Sequence, residues 1–379
     1  MTNTISTPQF PAHLLTENTQ AKVKYFKAYE SSHPHLDSAH SRTLSALRRS
    51  SGPKIVMVTG PTGVGKTTLA RNVFKHIKSV YAQDMMTDPT FVPIIGINAI
   101  PPNRGQFNWK DFYLRLLERH GDILIDRKLL IPRQNELFPE VPMTSPLDKW
   151  APDVLRRSVE SCIKHRKTKY LLIDEAHHLL MLKDPNSLEL QFETLKSITI
   201  ETGVTIILFG TYRLLDIRDQ SGQLSRRSEL IHFPRYDLRD RSDISDFASM
   251  LHTFQLHLPL AKTPDFSHDV EYFYTKSAGC IGILKDWLTR CLEECLLANK
   301  KTFDADFANK FAHSNKSLTT IIEEAMNGEM MLEDVGIDEL RSLMQNGMRK
   351  EEPAPVPKRN RQPGKRNPTR DSTGERHGL

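Results

Sequence analysis

The chain has 379 residues, 38% hydrophobic and 26% charged, with a formal net charge of +6 and four cysteines. That length supports a sizeable core without covalent staples, and so few cysteines exclude a disulfide scaffold. No apolar run reaches the roughly 18–20 residues of a membrane span, so no membrane partner is expected. The opening Met1-Thr2-Asn3 lacks the basic and apolar regions of a secretory signal, and a reducing cytoplasm is the expected location.

Residues 1–20 are polar and read as a flexible N-terminus. Helical patterns follow over 21–30 and 37–49, stopped by Ser51-Gly52-Pro53. At Lys54 the period changes. Ile55-Val56-Met57-Val58-Thr59 is a short continuous apolar run, the signature of a strand buried on both faces. Similar runs recur at 91–98, 170–173 and 204–209, and Ile231-His232-Phe233 reads as an edge strand. Helical patterns at 66–78, 109–120, 152–165 and 187–201 separate them. The alternation predicts an α/β fold, a parallel sheet covered by helices, over residues 21–238. Residues 121–149 carry four prolines and read as an insertion loop.

After Leu238 the strand signals cease. Helical patterns at 242–257, 267–277, 282–299 and 304–312 predict a small all-helical domain over 239–315, followed by a short helical extension over 316–349. Residues 350–379 read as a disordered basic tail. After Pro353 it holds Lys358, Arg359, Arg361, Lys365, Arg366, Arg370 and Arg376 against Asp371 and Glu375. It reads either as an arm for an acidic partner or as a solubilising terminus.

The strongest chemical signal is Gly60-Pro61-Thr62-Gly63-Val64-Gly65-Lys66-Thr67, followed by Thr68. It fits the phosphate-loop pattern G-x-x-x-x-G-K-[ST] between a buried strand and a helix. Glycines let backbone N–H groups wrap a β-phosphate, and the helix N-terminus adds partial positive charge. In that reading Lys66 reaches the β- and γ-phosphates of ATP and the Thr67 hydroxyl holds Mg²⁺. A second signal is the apolar run Tyr170–Ile173 ending in Asp174-Glu175. Carboxylates at the end of a parallel strand lie where such sheets bind ligands. Asp174 would support Mg²⁺ and Glu175 would polarise an attacking water; alone, the pair also reads as a helix cap.

Asp174-Glu175-Ala176-His177 spells a helicase tetrapeptide, but such enzymes need a second sheet domain, and the chain after Leu238 offers no second set of strands. His177-His178 are adjacent, which is not helical metal-ligand spacing. Cys291 and Cys295 are spaced i,i+4 and read as core residues. Thr211, at the end of the fourth strand, either senses a γ-phosphate or caps the next turn. Arg226-Arg227, before the edge strand, either act in trans on a neighbour's nucleotide or form a solvated pair. Lys164-His165-Arg166-Lys167 reads as complementing a helix C-terminus.

Taken in order, four pieces resemble the AAA+ ATPases of transposon target selection, the TnsC/TniB kind, over residues 23–312. They are Thr59-Gly60-Pro61-Thr62-Gly63-Val64-Gly65-Lys66-Thr67-Thr68, Leu171-Leu172-Ile173-Asp174-Glu175-Ala176-His177-His178-Leu179, Leu208-Phe209-Gly210-Thr211-Tyr212-Arg213-Leu214, and Ser277-Ala278-Gly279-Cys280-Ile281-Gly282-Ile283-Leu284. The resemblance implies a five-stranded P-loop core with a helical lid. It implies ATP-driven homo-oligomers, rings or helical filaments, around duplex DNA, linking a target-selection protein to the transposase. By position it implies Arg226 as the trans-acting arginine, with Arg227 second. It also implies backbone-contacting loops after the second strand, which here hold Arg104, Arg127 and Lys128.

This sequence departs from that pattern where related ATPases often place a lid arginine. Ile283 stands there, with Lys285 two residues on. An ATP-gated signalling or scaffold protein that binds no nucleic acid remains the alternative reading. A small-molecule phosphoryl-transferase lacks any recognisable acceptor constellation.

Overall fold

The computed structural model describes residues 8–49, 54–102, 107–121, 152–181, 188–218 and 228–346. Five strands, β1 (Ile55–Thr59), β2 (Ile94–Asn98), β3 (Tyr170–Asp174), β4 (Thr205–Gly210) and β5 (Ser228–His232), form one sheet in the order β2-β3-β4-β1-β5. Every pairing is parallel. The central strands are buried on both faces, as their unbroken apolar runs predict.

Successive side chains still divide between two cores. Ile55, Met57, Ile206 and Leu208 face one helical layer, built from α5 (Trp109–Arg119), α6 (Pro152–His165) and α7 (Leu188–Thr202). Val56, Val58, Ile207 and Phe209 face the other, built from α2 (Pro34–Arg48) and α3 (Lys66–Val80). The result is a three-layer α/β P-loop fold of the AAA type.

Two strands differ from their sequence expectation. The run at 91–98 begins pairing only at Ile94, because Pro93 has no N–H to give the ladder. Its carbonyl instead accepts from the N–H of Lys169 and Tyr170. β5 starts earlier, at Ser228, and a bond from Phe233 N to Thr59 O extends its pairing. A short helix, α4 (Ala82–Thr87), has no counterpart in the sequence reading; it buries no residue and so leaves no apolar stripe to read.

Beyond β5 the chain is helical. It forms α9 (Arg241–His257), α10 (Val270–Ser277), α11 (Ile281–Leu297) and α12 (Ala305–Asn309), after the single turn α8 (Leu215–Arg218) on the sheet side. These helices surround Trp287, Phe254 and Phe273. Helix α1 (Thr19–Ala28) joins them: Val23 and Phe26 pack in that cluster rather than against the sheet. Lys285, on α11, donates to the carbonyls of Lys27 and Tyr29, closing the open C-terminal end of α1. Helix α13 (Asn315–Met330) completes this compact unit, residues 1–332; residues 333–379 form a second unit that includes α14 (Ile337–Asn346).

None of the four cysteines is in a disulfide. Cys291 and Cys295 are core groups whose thiols lie 3.9 Å from Ala308 O and 3.6 Å from Lys300 O. Burial pushes Cys291 up to about 12, so it is inert at neutral pH. No cluster of metal-binding side chains exists among the described residues.

Trp287 is fully buried and its indole N–H donates to Ala308 O at 2.8 Å. Trp287→Ala both opens a cavity and removes one of the bonds to that carbonyl, which keeps the N–H of Phe311. The expected cost is about 3–5 kcal/mol, read as a lower denaturant midpoint.

Candidate functional site

The site is built where strands end. Thr59 pairs with Gly210 across the ladder, so Gly60 and Thr211 leave the sheet side by side. Asp174 ends β3 on the same rim, one strand further on. From Gly60 the chain turns through Gly63 (φ 78°) and Gly65 (φ 113°), left-handed values that L side chains rarely adopt, into α3. Gly65 has no side chain to cap that helix, so the first-turn N–H groups are left facing the loop.

The loop is held from outside by backbone and aliphatic contacts. A Cβ at Gly60 would lie 2.2 Å from Phe233 O, and one at Gly63 would lie 2.4 Å from Ile283 Cγ1. The contact is mutual, since a Cβ at Gly282 would lie 2.4 Å from Gly63 O. The start of α11 therefore rests directly on the phosphate loop. Ile283 fills the position of a lid arginine as an aliphatic contact. Lys285 does not replace it, being committed to α1.

Lys66 is 8% exposed, and its ammonium donates to the carbonyls of Gly60 (2.9 Å) and Pro61 (2.7 Å). Burial lowers it to about 8, opposed by the nearby Glu175, Cys280 and Asp174. Cys280, almost wholly enclosed, is pushed up to about 12 by that burial.

Asp174 is buried and its Oδ1 accepts from the N–H of Glu175 at 2.9 Å. Glu175 stands in a left-handed conformation (φ 52°), which swings it out of the strand direction. Its Oε2 lies 3.3 Å from His177 Nδ1. Burial, with His178, Lys66 and Arg213 adding to it, pushes His177 down to about 4. The imidazole is thus neutral at pH 7 and this is no ion pair. His178 Nδ1 donates to Ala99 O at 2.8 Å, while Ala99 N donates to Asp174 O, so the ends of β2 and β3 are tied together.

This arrangement fits a nucleotide's phosphates. A cradle that no Cβ could enter, uncapped helix N–H groups and one buried cation oppose the negative charge. Thr67 and Asp174 would hold the Mg²⁺, which supplies charge neutralisation at the β- and γ-oxygens. Thr211 makes no side-chain capping bond in the turn that follows it. Arg104, Arg127, Lys128, Arg226 and Arg227 lie outside the described residues, as do most of the 121–149 insertion and the basic tail.

The structure adds partners that the sequence does not reveal. Tyr212, next to Thr211, bonds His232 Nε2 through its hydroxyl at 2.8 Å. Its ring also meets the backbone of α13, because a Cβ at Gly328 would lie 2.1 Å from it. One residue on, Glu329 takes a two-pronged hold on Arg235, at 2.9 and 3.1 Å, in the segment joining sheet to helical layer. At the same junction Tyr236 N donates to Gly279 O, and the Tyr274 hydroxyl donates to Tyr236 O at 2.6 Å. The one sequence clue to these pairings is Gly328 itself, a glycine inside an otherwise helical pattern.

The AAA domain family model matches residues 48–217, the stretch that carries the phosphate loop, Asp174-Glu175 and Thr211. That stretch is an AAA-type, nucleotide-binding P-loop module. No curated protein matches the chain. Similar solved structures include the Walker-type ATPase paby2304 of Pyrococcus abyssi, at 14% identity over 85% of this chain and 81% of that one, TM-score 0.46. The ORC2 protein of Aeropyrum pernix, in ADPNP-ADP complexes, is 12% identical over 90% and 74%, TM-score 0.46. Domain III of the replication initiation protein DnaA of Thermotoga maritima is 11% identical over 79% and 95%, TM-score 0.37.

Two outcomes are expected. Lys66 is cationic below about pH 8, and bound phosphate favours the cation. Nucleotide affinity therefore holds below that pH and falls above it by up to about tenfold per pH unit. Titrating a fluorescent nucleotide from pH 7 to 10 measures the slope, which Lys66→Ala should remove along with most of the affinity. In Gly328→Ala, helix propensity alone would stabilise by about 1 kcal/mol. Overlap with the Tyr212 ring reverses the sign, to a net loss of about 1–3 kcal/mol, read by thermal melting and by faster proteolysis at α13.

Proposed function

We propose that the chain is an ATP-hydrolysing switch that assembles on duplex DNA and regulates transposition by linking a target-selection protein to a transposase. The observation that carries the switch is the Gly63–Gly282 contact: the lid rests on the loop that would hold the phosphates, so a change in the nucleotide presses on the lid. Hydrolysis is assigned to Glu175, which orients the attacking water. Arg226, with Arg227 second, reaches a neighbour's nucleotide and makes turnover depend on assembly. Thr211 reads the γ-phosphate and relays it to Tyr212. The DNA and transposition parts of the reading are supported by the ordered motif set, ending in Gly279-Cys280-Ile281-Gly282. In that reading Arg104, Arg127 and Lys128 contact the phosphate backbone without reading sequence. With Ile283 in place of a lid arginine, the lid contributes no charge to the transition state, and slow intrinsic turnover follows.

The test is particle mass and ATP turnover, with and without random-sequence duplex. Wild type should form large particles only with DNA and a non-hydrolysable ATP analogue. Glu175→Gln should assemble with ATP and fail to disassemble. Arg226→Ala should assemble yet lose about 10³-fold or more of the assembled rate, with Arg227→Ala as the comparison. Nucleotide-driven assembly that ignores DNA would favour the scaffold reading. A chain that stays monomeric with nucleotide and DNA would overturn the switch.

A further inference from the structure

The rim of the sheet opposite the nucleotide site is also concave. Strands β1, β3 and β4 begin there, about 16 Å from their far ends at roughly 3.3 Å per residue. A cleft of about 480 Å³ opens at this rim, lined by Arg49, Lys54, Lys164, Lys167 and Lys169 around the exposed Gly203. Five of its twelve lining residues are cationic and none is acidic.

The sheet register sets the spacing of the charges. Ile206 N donates to Lys54 O and Thr205 N donates to Lys169 O, so Lys54 and Lys169 flank the start of β4 on its two sides. Their backbones are thus about two strand spacings, roughly 10 Å, apart. Lys164 reaches the rim from the last turn of α6. Two of the five cations are already matched: Arg49 holds Glu229 at 2.9 Å and Lys167 holds Asp88 at 2.9 Å. Lys54, Lys164 and Lys169 have no carboxylate partner among the described residues. Lys169 instead lies over the Tyr81 ring, 4.4 Å from its centroid. The run at 164–167, expected only to complement a helix end, thus also feeds a cationic surface.

We propose that this rim is a second contact surface for the phosphodiester backbone of duplex DNA. It lies at the opposite end of the strands from the nucleotide site. Lysine is depleted at protein–protein interfaces, where aromatic anchors dominate, and Tyr170 is the one aromatic side chain among the twelve that line this cleft. Compact ammonium charges on flexible stems suit backbone contacts that carry no sequence information. The open, exposed cleft suits a rod of regularly spaced charge rather than an enclosed small anion. The inference rests on the reading that this chain meets duplex DNA and adds where a subunit touches it.

The test uses the full chain with a saturating non-hydrolysable ATP analogue and a labelled random-sequence duplex, titrated across KCl concentrations. The variant is the triple substitution Lys54→Gln, Lys164→Gln and Lys169→Gln, all exposed positions remote from Lys66. Each lost phosphate contact lowers the log–log salt slope by about 0.9. The triple variant should lose up to about 2.7 in slope and roughly a hundredfold in affinity at 0.15 M salt, with nucleotide binding unchanged. An unchanged slope while wild type binds DNA overturns this proposal alone. If wild type also assembles with nucleotide alone, loss of that assembly in the triple variant would make the rim a subunit interface and also overturn the proposal. Wild type that assembles with nucleotide but never binds duplex overturns the DNA reading and this proposal together.

Discussion

The structure turns on one contact between two backbones. Gly63 of the phosphate loop and Gly282 at the start of α11 approach so closely that neither has room for a Cβ. Ile283 then lies against the same loop, and Gly279 is locked to Tyr236 through the main chain. Close-packed parts of this kind move by changing contact rather than by bending. The helical layer therefore shares its position with the phosphate loop, and neither relocates alone.

That closeness also sets the electrostatics. The loop is sealed on one side by Phe233 and on another by α11, so Lys66 and Cys280 are withdrawn from water. In such a place an ammonium is costly by itself and strongly attracts an anion. The two loop carbonyls that Lys66 contacts serve as its counter-groups. His177, kept neutral by its surroundings, leaves the Glu175 carboxylate without a cationic partner on that side. A second line of support enters from α13, whose Gly328 and Glu329 touch the segments after β4 and β5. The phosphate-facing rim is thus braced at its centre, after β4, and at one end, after β5, by residues from the last part of the unit.

Much of this is legible in the amino-acid sequence. A strand buried on both faces writes itself as an unbroken apolar run, which is why β1, β3 and β4 lie close to where their runs predict. The phosphate loop and Asp174-Glu175 are legible because their chemistry fixes residue type and spacing. What sequence hides is long-range pairing. Nothing in Tyr212 announces Gly328, nor in Arg235 Glu329, because side chains far apart in the chain meet only through the fold. The role of Lys285 stays open in the sequence for the same reason: it stands two residues from the missing arginine, and only the fold shows that its partners belong to the first helix. Strand ends blur where proline or an extra ladder bond intervenes, at Pro93 and Phe233.

The place of that first helix has a consequence for how the protein is made. Lys285 and Lys27 are 258 residues apart in the chain, yet they meet in one cluster. Translation proceeds at about 5–20 residues per second, so α1 leaves the ribosome roughly 10–50 s before its partner exists. Through that interval the whole sheet can form while Val23 and Phe26 stay wet. The nascent polypeptide thus carries an unsatisfied apolar segment that chaperones can hold, and the arrival of α11, rather than completion of the sheet, is what buries it.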